Sequence, residues 1–265
     1  MIYENIKYSV SEKKAIITFN RPKLHNALSY KMIEEITMAL EQASRDKEVR
    51  VIILTGEGKS FCSGDDMLSM SEDMSNTLSS NVPMQVTKGW IMAKGYEQVV
   101  LAIRKTPKPI VASVKGHALG AGCDIMLACD FRVVSKDANM GLVYVQRAFA
   151  AGILTVLYHL GLARATELLF TGKSFTTKKA KELGLVNLVS TDEKLMEDTL
   201  NFADRFVNLP TASIGIIKEG LNRILNFEKL AELQAEMYCE SVLTEDIKEG
   251  AVAFFEKRTP NFKGC

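Results

Sequence analysis

The chain has 265 residues, 47% apolar and 25% charged, a globular composition long enough to bury a core without disulfide or metal staples. Its 33 basic and 32 acidic residues leave a formal charge of +1, which gives no global field to draw it to nucleic acid or an anionic membrane. Five cysteines form no CxxC pair, no run of about 18 apolar residues occurs, and the N-terminus does not read as a secretory signal, so the expectation is a cytoplasmic protein with no metal and no membrane span.

In chain order, residues 2–10 and 13–19 read as two short strands joined by a polar turn at Ser11-Glu12 and closed by Asn20-Arg21-Pro22. Ser29 stands ahead of Met32, Ile33, Ile36, Ala39 and Leu40, an N-cap followed by helical spacing. Residues 49–54 form a β-branched run, the mark of a buried strand. Between 67 and 85 the chain turns polar and Met-rich, the pattern of a loop or lid, and a helix is expected over 86–104. A second buried strand follows at 110–114, then a glycine run at 116–122, an apolar helix over 123–129 and a third strand over 131–134. Helical patterns dominate from 150 to 255, and there is no repeat of fixed period. The order implies an α/β core, residues 1–195, with a helical region over 196–265.

Two strand-to-helix corners stand out: Phe61-Cys62-Ser63-Gly64-Asp65-Asp66 and Gly116 to Gly122. Glycines there are most often plain turn chemistry. A helix N-terminus, however, leaves N–H groups unpaired, and two such corners side by side could aim two donors at one oxygen. Phosphate-loop readings fail: Gly56-Glu57-Gly58-Lys59-Ser60 has Ile53 where a P-loop needs its first glycine, and the second corner does not fit GxGxxG.

Several segments come in the order and spacing of one family. They are Asn20-Arg21-Pro22 with Asn26-Ala27-Leu28, the strand ending in Thr55-Gly56, both glycine corners, Ala128-Cys129-Asp130-Phe131-Arg132, and Phe254-Phe255-Glu256-Lys257-Arg258. Over nearly its whole length the chain resembles the enoyl-CoA hydratase/isomerase (crotonase) superfamily. The resemblance implies a spiral of ββα units with a C-terminal helical region that builds homotrimers, often paired into hexamers. It implies an acyl-CoA substrate whose thioester oxygen meets the backbone N–H groups of Asp65 and Ala121, and no cofactor beyond that coenzyme A. Lys23, Leu24 and Ser63 resemble the positions that meet the nucleotide, while Phe254 and Lys257 resemble residues offered to the adenosine phosphate by a neighbouring subunit.

Hydratases of the family use two glutamates; here those positions carry Asp124 and Tyr144. Asp124 stands three residues past Ala121, nearly one helical turn, in an otherwise apolar helix where a carboxylate needs a partner or a role. A phenol with an ordinary pKa near 10 is a poor base, and Gln146 and Arg147 are the nearest polar side chains downstream. Asp65 replaces a small or apolar residue. A carboxylate about 4 Å from a developing enolate would repel it by roughly 4 kcal/mol at an effective dielectric near 20, so Asp65 must turn away, carry a proton or meet a cation. Asp66 is expected to cap the next helix. Met67, Met70, Met74, Met84 and Met92 suit an adaptable acyl pocket or a core equally. The expected activity is 2-enoyl-CoA hydration, with double-bond isomerisation second and non-catalytic acyl-CoA binding third; RNA binding has little support at this charge.

Overall fold

The computed structural model describes residues 2–67, 69, 88 and 91–265. Strands β1 (Ile6–Ser11) and β2 (Lys14–Phe19) form a hairpin whose turn falls on Glu12 and Lys13, both at positive φ, one residue later than the sequence pattern implies. Helix α1 (Tyr30–Arg45) starts as expected, with Ser29 accepting a hydrogen bond from the Met32 N–H. Strand β3 (Val51–Gly56) is buried at every position, as a central parallel strand should be.

Helix α2 (Glu97–Lys105) covers only the end of the helix expected over 86–104. The helical run is interrupted at Gly95 and Tyr96, and residues 86, 87, 89 and 90 lie outside the described set. After β4 (Ile110–Val114), the glycine run holds a short strand, β5 (His117–Leu119), before α3 (Ala121–Ala128). Then come β6 (Phe131–Ser135), β7 (Asn139–Gly141), a 3₁₀ turn at Val143–Arg147 and α4 (Ile153–Thr171). Among the described residues, α4 alone is long and apolar enough to cross a membrane, but Gly161 (φ 67°, ψ 170°) leaves helical geometry and divides it. The chain continues through β8 (Phe175–Thr176), α5 (Thr177–Glu182), β9 (Leu188–Ser190), α6 (Leu195–Val207), α7 (Thr211–Leu225), α8 (Phe227–Val242) and α9 (Glu245–Glu256).

The large sheet runs β1-β2-β3-β4-β6-β9, parallel beyond β2, and a second runs β5-β7-β8. Isolated bridges from Leu28 to Asp65 and from Cys62 to Ala118 extend the second layer. Successive turns of the chain thus lay one strand in the large sheet, a short segment in the second layer and a helix across them. This is the spiral of ββα units expected. Its consequence is that residues 62–65 and 117–121, far apart in sequence, become neighbours.

The shared motif residues hold this frame. Asn26 accepts from the Arg21 N–H and donates to the carbonyls of Glu57 and Ser60. Arg21 pairs with Asp66 at 2.8 Å, and Asp66 Oδ1 accepts from the Ser69 N–H at 3.3 Å, the capping contact expected of it. Buried Arg132 donates to the carbonyls of Leu185 and Cys129 at 2.6 and 2.7 Å, closing the C-terminus of α3.

Candidate active site

The two corners meet. Cys62 N–H donates to His117 O at 2.9 Å and Leu119 N–H to Cys62 O at 3.0 Å, so the segments run side by side until each turns at a glycine. Gly64 has φ +100° and Gly120 φ +52°, values a side chain resists. A Cβ on Gly64 would stand 2.9 Å from Leu119 O and 3.7 Å from the Ala121 nitrogen; one on Gly120 would stand 3.9 Å from Gly64 Cα. The backbone is therefore in contact across the corner. Ala121 opens α3, where first-turn N–H groups have no helical acceptor. Neither its N–H nor that of Asp65 donates to another described residue, the Asp65 N–H facing only its own carboxyl group.

Beside this corner lies a cavity of about 520 Å³, lined among others by Gly64, Asp65, Gly120, Tyr144 and Arg147. Ala121 is fully buried one residue behind Gly120 and does not line it. An oxygen seated against both amides has to enter past the Gly64 and Gly120 backbone.

Asp124, one turn into α3, has no exposure at all. Its Oδ2 accepts from the phenols of Tyr144 at 2.7 Å and Tyr96 at 2.9 Å, and its Oδ1 from the Thr155 hydroxyl at 2.5 Å. The two phenol rings stack with centroids 6.2 Å apart. Gln234 fixes the arrangement from α8. Its oxygen accepts from the N–H groups of Gly152 and Leu154, which orients its amide to donate to Tyr96 Oη at 2.7 Å and Glu97 Oε1 at 3.4 Å. Burial pushes the Asp124 carboxyl up to about 6, with the three hydroxyls opposing it, and burial with the Asp124 charge beside it lifts the Tyr144 phenol well above 10. The structure thus joins the two predicted catalytic residues directly, but only Tyr144 reaches the cavity.

Asp65 is different. Its Oδ1 is buried without a hydrogen-bond partner among the described residues, an arrangement that costs about 1–3 kcal/mol in an otherwise finished structure. Burial first, and the Asp124 charge second, push this carboxyl up to about 7, against the pull of the Arg147 guanidinium. Glu97, 2% exposed, is pushed up by burial to about 8. Arg147 forms no ion pair among the described residues; its guanidinium lies 4.3 Å from the centre of the Phe254 ring.

Leu24, Ser63, Phe254 and Lys257 line the same cavity. Lys23, exposed in the 3₁₀ turn Pro22–Leu24, does not. Phe254 and Lys257 stand over their own chain's cavity, where the resemblance implies a neighbour's, because Gly250 of α9 lets that helix pack against the Arg147 backbone. Met67 lines the cavity and Met92 packs against the core, while Met70, Met74 and Met84 lie outside the described residues.

Sequence reasoning missed Tyr96, Glu97, Thr155 and Gln234. One signal was available for Gln234: a glutamine between Ala231 and Ala235 on the apolar stripe of α8 needs a buried partner.

Comparison with known proteins identifies the frame. The profile described as enoyl-CoA hydratase/isomerase matches residues 10–265. The chain belongs to the enoyl-CoA hydratase/isomerase family. A relative in Bacillus subtilis (strain 168), described as a probable enoyl-CoA hydratase, is 33% identical over 98% of each chain. A trans-2-decenoyl-[acyl-carrier-protein] isomerase of Streptococcus mutans is 29% identical over 100% of each. An enoyl-CoA hydratase crystal structure from Mycobacterium avium subsp. paratuberculosis superposes with a TM-score of 0.84 at 25% identity, covering 99% of this chain and 100% of that one. Membership in the enoyl-CoA hydratase/isomerase family makes this chain an enzyme of the crotonase fold.

Proposed function

We propose that the chain hydrates 2-enoyl-CoA thioesters. The observation that carries this reading is the pair of amides, Asp65 and Ala121, that donate to no other described residue and stand at two glycine corners beside a cavity that also presents Tyr144. Buried N–H groups almost always have an acceptor, so an unpaired couple favours an oxygen arriving from outside. That oxygen is the thioester carbonyl. As water adds to Cβ, the C=C electron pair moves toward Cα and the carbonyl oxygen, and two fixed donors stabilise the enolate charge.

Tyr144 commits its O–H to Asp124, leaving its oxygen lone pairs to accept a hydrogen bond from the attacking water. Asp124 acts through Tyr144, as a positioning residue. Leu24, Ser63, Phe254 and Lys257 serve the coenzyme A end, with Lys23 meeting phosphate from outside the cavity. Substrate coenzyme A is the only cofactor the chemistry needs.

Exposed Ile216 and Ile224 on α7 and Phe170 on α4 support self-association, into a trimer or a pair of trimers as the resemblance implies. The charge of +1 and the break in α4 fit a cytoplasmic enzyme with neither nucleic acid nor membrane as partner.

A second reading, double-bond isomerisation, is favoured by the isomerase relative and by the loss of one of the two acids. Supplying crotonyl-CoA and a 3-enoyl-CoA separately, and following conjugated-thioester absorbance, decides between them. Hydration bleaches the first; isomerisation builds absorbance from the second. Tight thioester binding with no turnover of either would replace both readings with a non-catalytic binding protein.

A further inference from the structure

We propose that the Asp65 carboxyl, rather than Asp124, is the proton-transferring group of this site. The inference rests on the enoyl-CoA reading above and adds a residue to it. A base is needed, and the side chains around the corner leave few choices. Both oxygens of Asp124 are taken by hydroxyl donors, and the residue lies behind Tyr144, off the cavity wall. The Tyr144 phenol is held firmly protonated. Glu97 is buried beside Gln234 and does not line the cavity. Asp65 and Asp66 both line it, but Asp66 is held by the Arg21 guanidinium and the Ser69 N–H, whereas one Asp65 oxygen has no partner among the described residues.

Geometry puts this side chain next to the chemistry. The residue whose N–H meets the thioester oxygen carries its own carboxyl within one side-chain length of the acyl Cα and Cβ. As the water oxygen bonds to Cβ, ionised Asp65 takes a water proton and the C=C pair moves out to the thioester oxygen as enolate. When the enolate collapses, Cα takes that proton from Asp65, and the carboxylate returns. Water is added across the double bond, and no oxidant, reductant or second acid is consumed.

This order also removes the conflict raised by an acid at position 65. Negative charge leaves Asp65 as it appears on the enolate, so the two charges never coexist. The unpaired Arg147 guanidinium favours the ionised resting form, while burial and Asp124 keep protonation within reach. For an isomerase the same group lifts a proton from one carbon and returns it to another.

The test uses the full chain, crotonyl-CoA as substrate (or the 3-enoyl-CoA, if that is the one turned over) and butyryl-CoA as an unreactive ligand. Asp65→Asn keeps the backbone N–H and the side-chain shape. It is expected to lower kcat by about 10²–10⁴-fold while butyryl-CoA binding changes less than about threefold. The wild-type rate should rise with pH through neutrality, and the residual rate of Asp65→Asn should not. Groups facing Asp65 that also shape the profile are Asp124 on α3, Arg147 and Tyr144 on the 3₁₀ turn, Tyr96 and Glu97 at the start of α2, Tyr238 on α8 and the Cys62 thiol. Arg147→Met should move the rise to higher pH, a readout that lost folding would not produce. An active wild type with an equally active Asp65→Asn, or a parallel loss of binding and rate, would overturn this inference alone. A wild type inert toward both enoyl-CoAs would remove it together with the reading it rests on.

Discussion

The two ends of helix α3 each carry an aspartate, Asp124 fully buried and Asp130 partly so, and they hold it in opposite ways. Asp124, near the N-terminus, is met by three hydroxyls and no cation. Asp130, just past the C-terminus, is met by Lys218 at 2.7 Å, Arg104 at 3.1 Å and the Ile110 N–H at 2.9 Å. Cations neutralise the charge they bind, and their bonds tie α7, α2 and β4 into one frame. Hydroxyls stabilise an anion without neutralising it, so its field persists at its neighbours. The Asp124 charge contributes to raising Asp65, Glu97, Tyr96 and Tyr144. One end of the helix is built for rigidity, the other for a controllable proton.

The largest expected effect falls on the rigid end. Asp130→Ala strands the ammonium of Lys218, whose side chain is 5% exposed, and leaves the Ile110 N–H without its acceptor. Removing one partner of such a pair costs about 3–5 kcal/mol, read by urea denaturation. A loss below about 1 kcal/mol would break the contrast between the two ends.

A smaller effect tests the other end. Glu97 titrates at about 8 in the folded chain, against an ordinary value of 4.5. The folded state therefore holds its proton where the unfolded chain has released it. Its stabilising contribution is complete below about pH 4.5 and is lost progressively as pH rises to about 8. Replacing it by Gln removes that loss. Compared with wild type, Glu97→Gln should gain on the order of 4 kcal/mol of stability between pH 5 and pH 9. Parallel stability curves for the two proteins would show that Glu97 ionises freely.

What could be read in advance follows from the kind of signal each feature leaves. Strands β3 and β4 and helix α1 announce themselves through apolar runs, helical spacing and the Ser29 cap. The two corners carry glycines at fixed spacing, and a backbone site is legible wherever backbone freedom is. The hydroxyls around Asp124 leave no such trace. Tyr96, Tyr144 and Thr155 come from three separate elements, and only the winding of the spiral brings them together. The burial of Asp65 likewise depends on neighbours distant in sequence. Placement of α9 over its own chain rests on one glycine, Gly250, among many with ordinary roles.

Thr155→Val makes the finest cut into the hydroxyl cluster. Valine matches threonine in shape but removes the only donor to Asp124 Oδ1 among the described residues, leaving both phenols on Oδ2. The stranded buried oxygen should cost about 1.5 kcal/mol in stability, and Thr155→Ser should restore most of it. If Asp124 acts only by holding Tyr144, the enoyl-CoA rate should change less than about threefold, because the Tyr144 bond survives. A hundredfold fall in kcat without loss of thioester binding would mean that the charge on Asp124 itself takes part in the reaction. The division between a positioning aspartate at 124 and a proton-carrying one at 65 would then have to be redrawn.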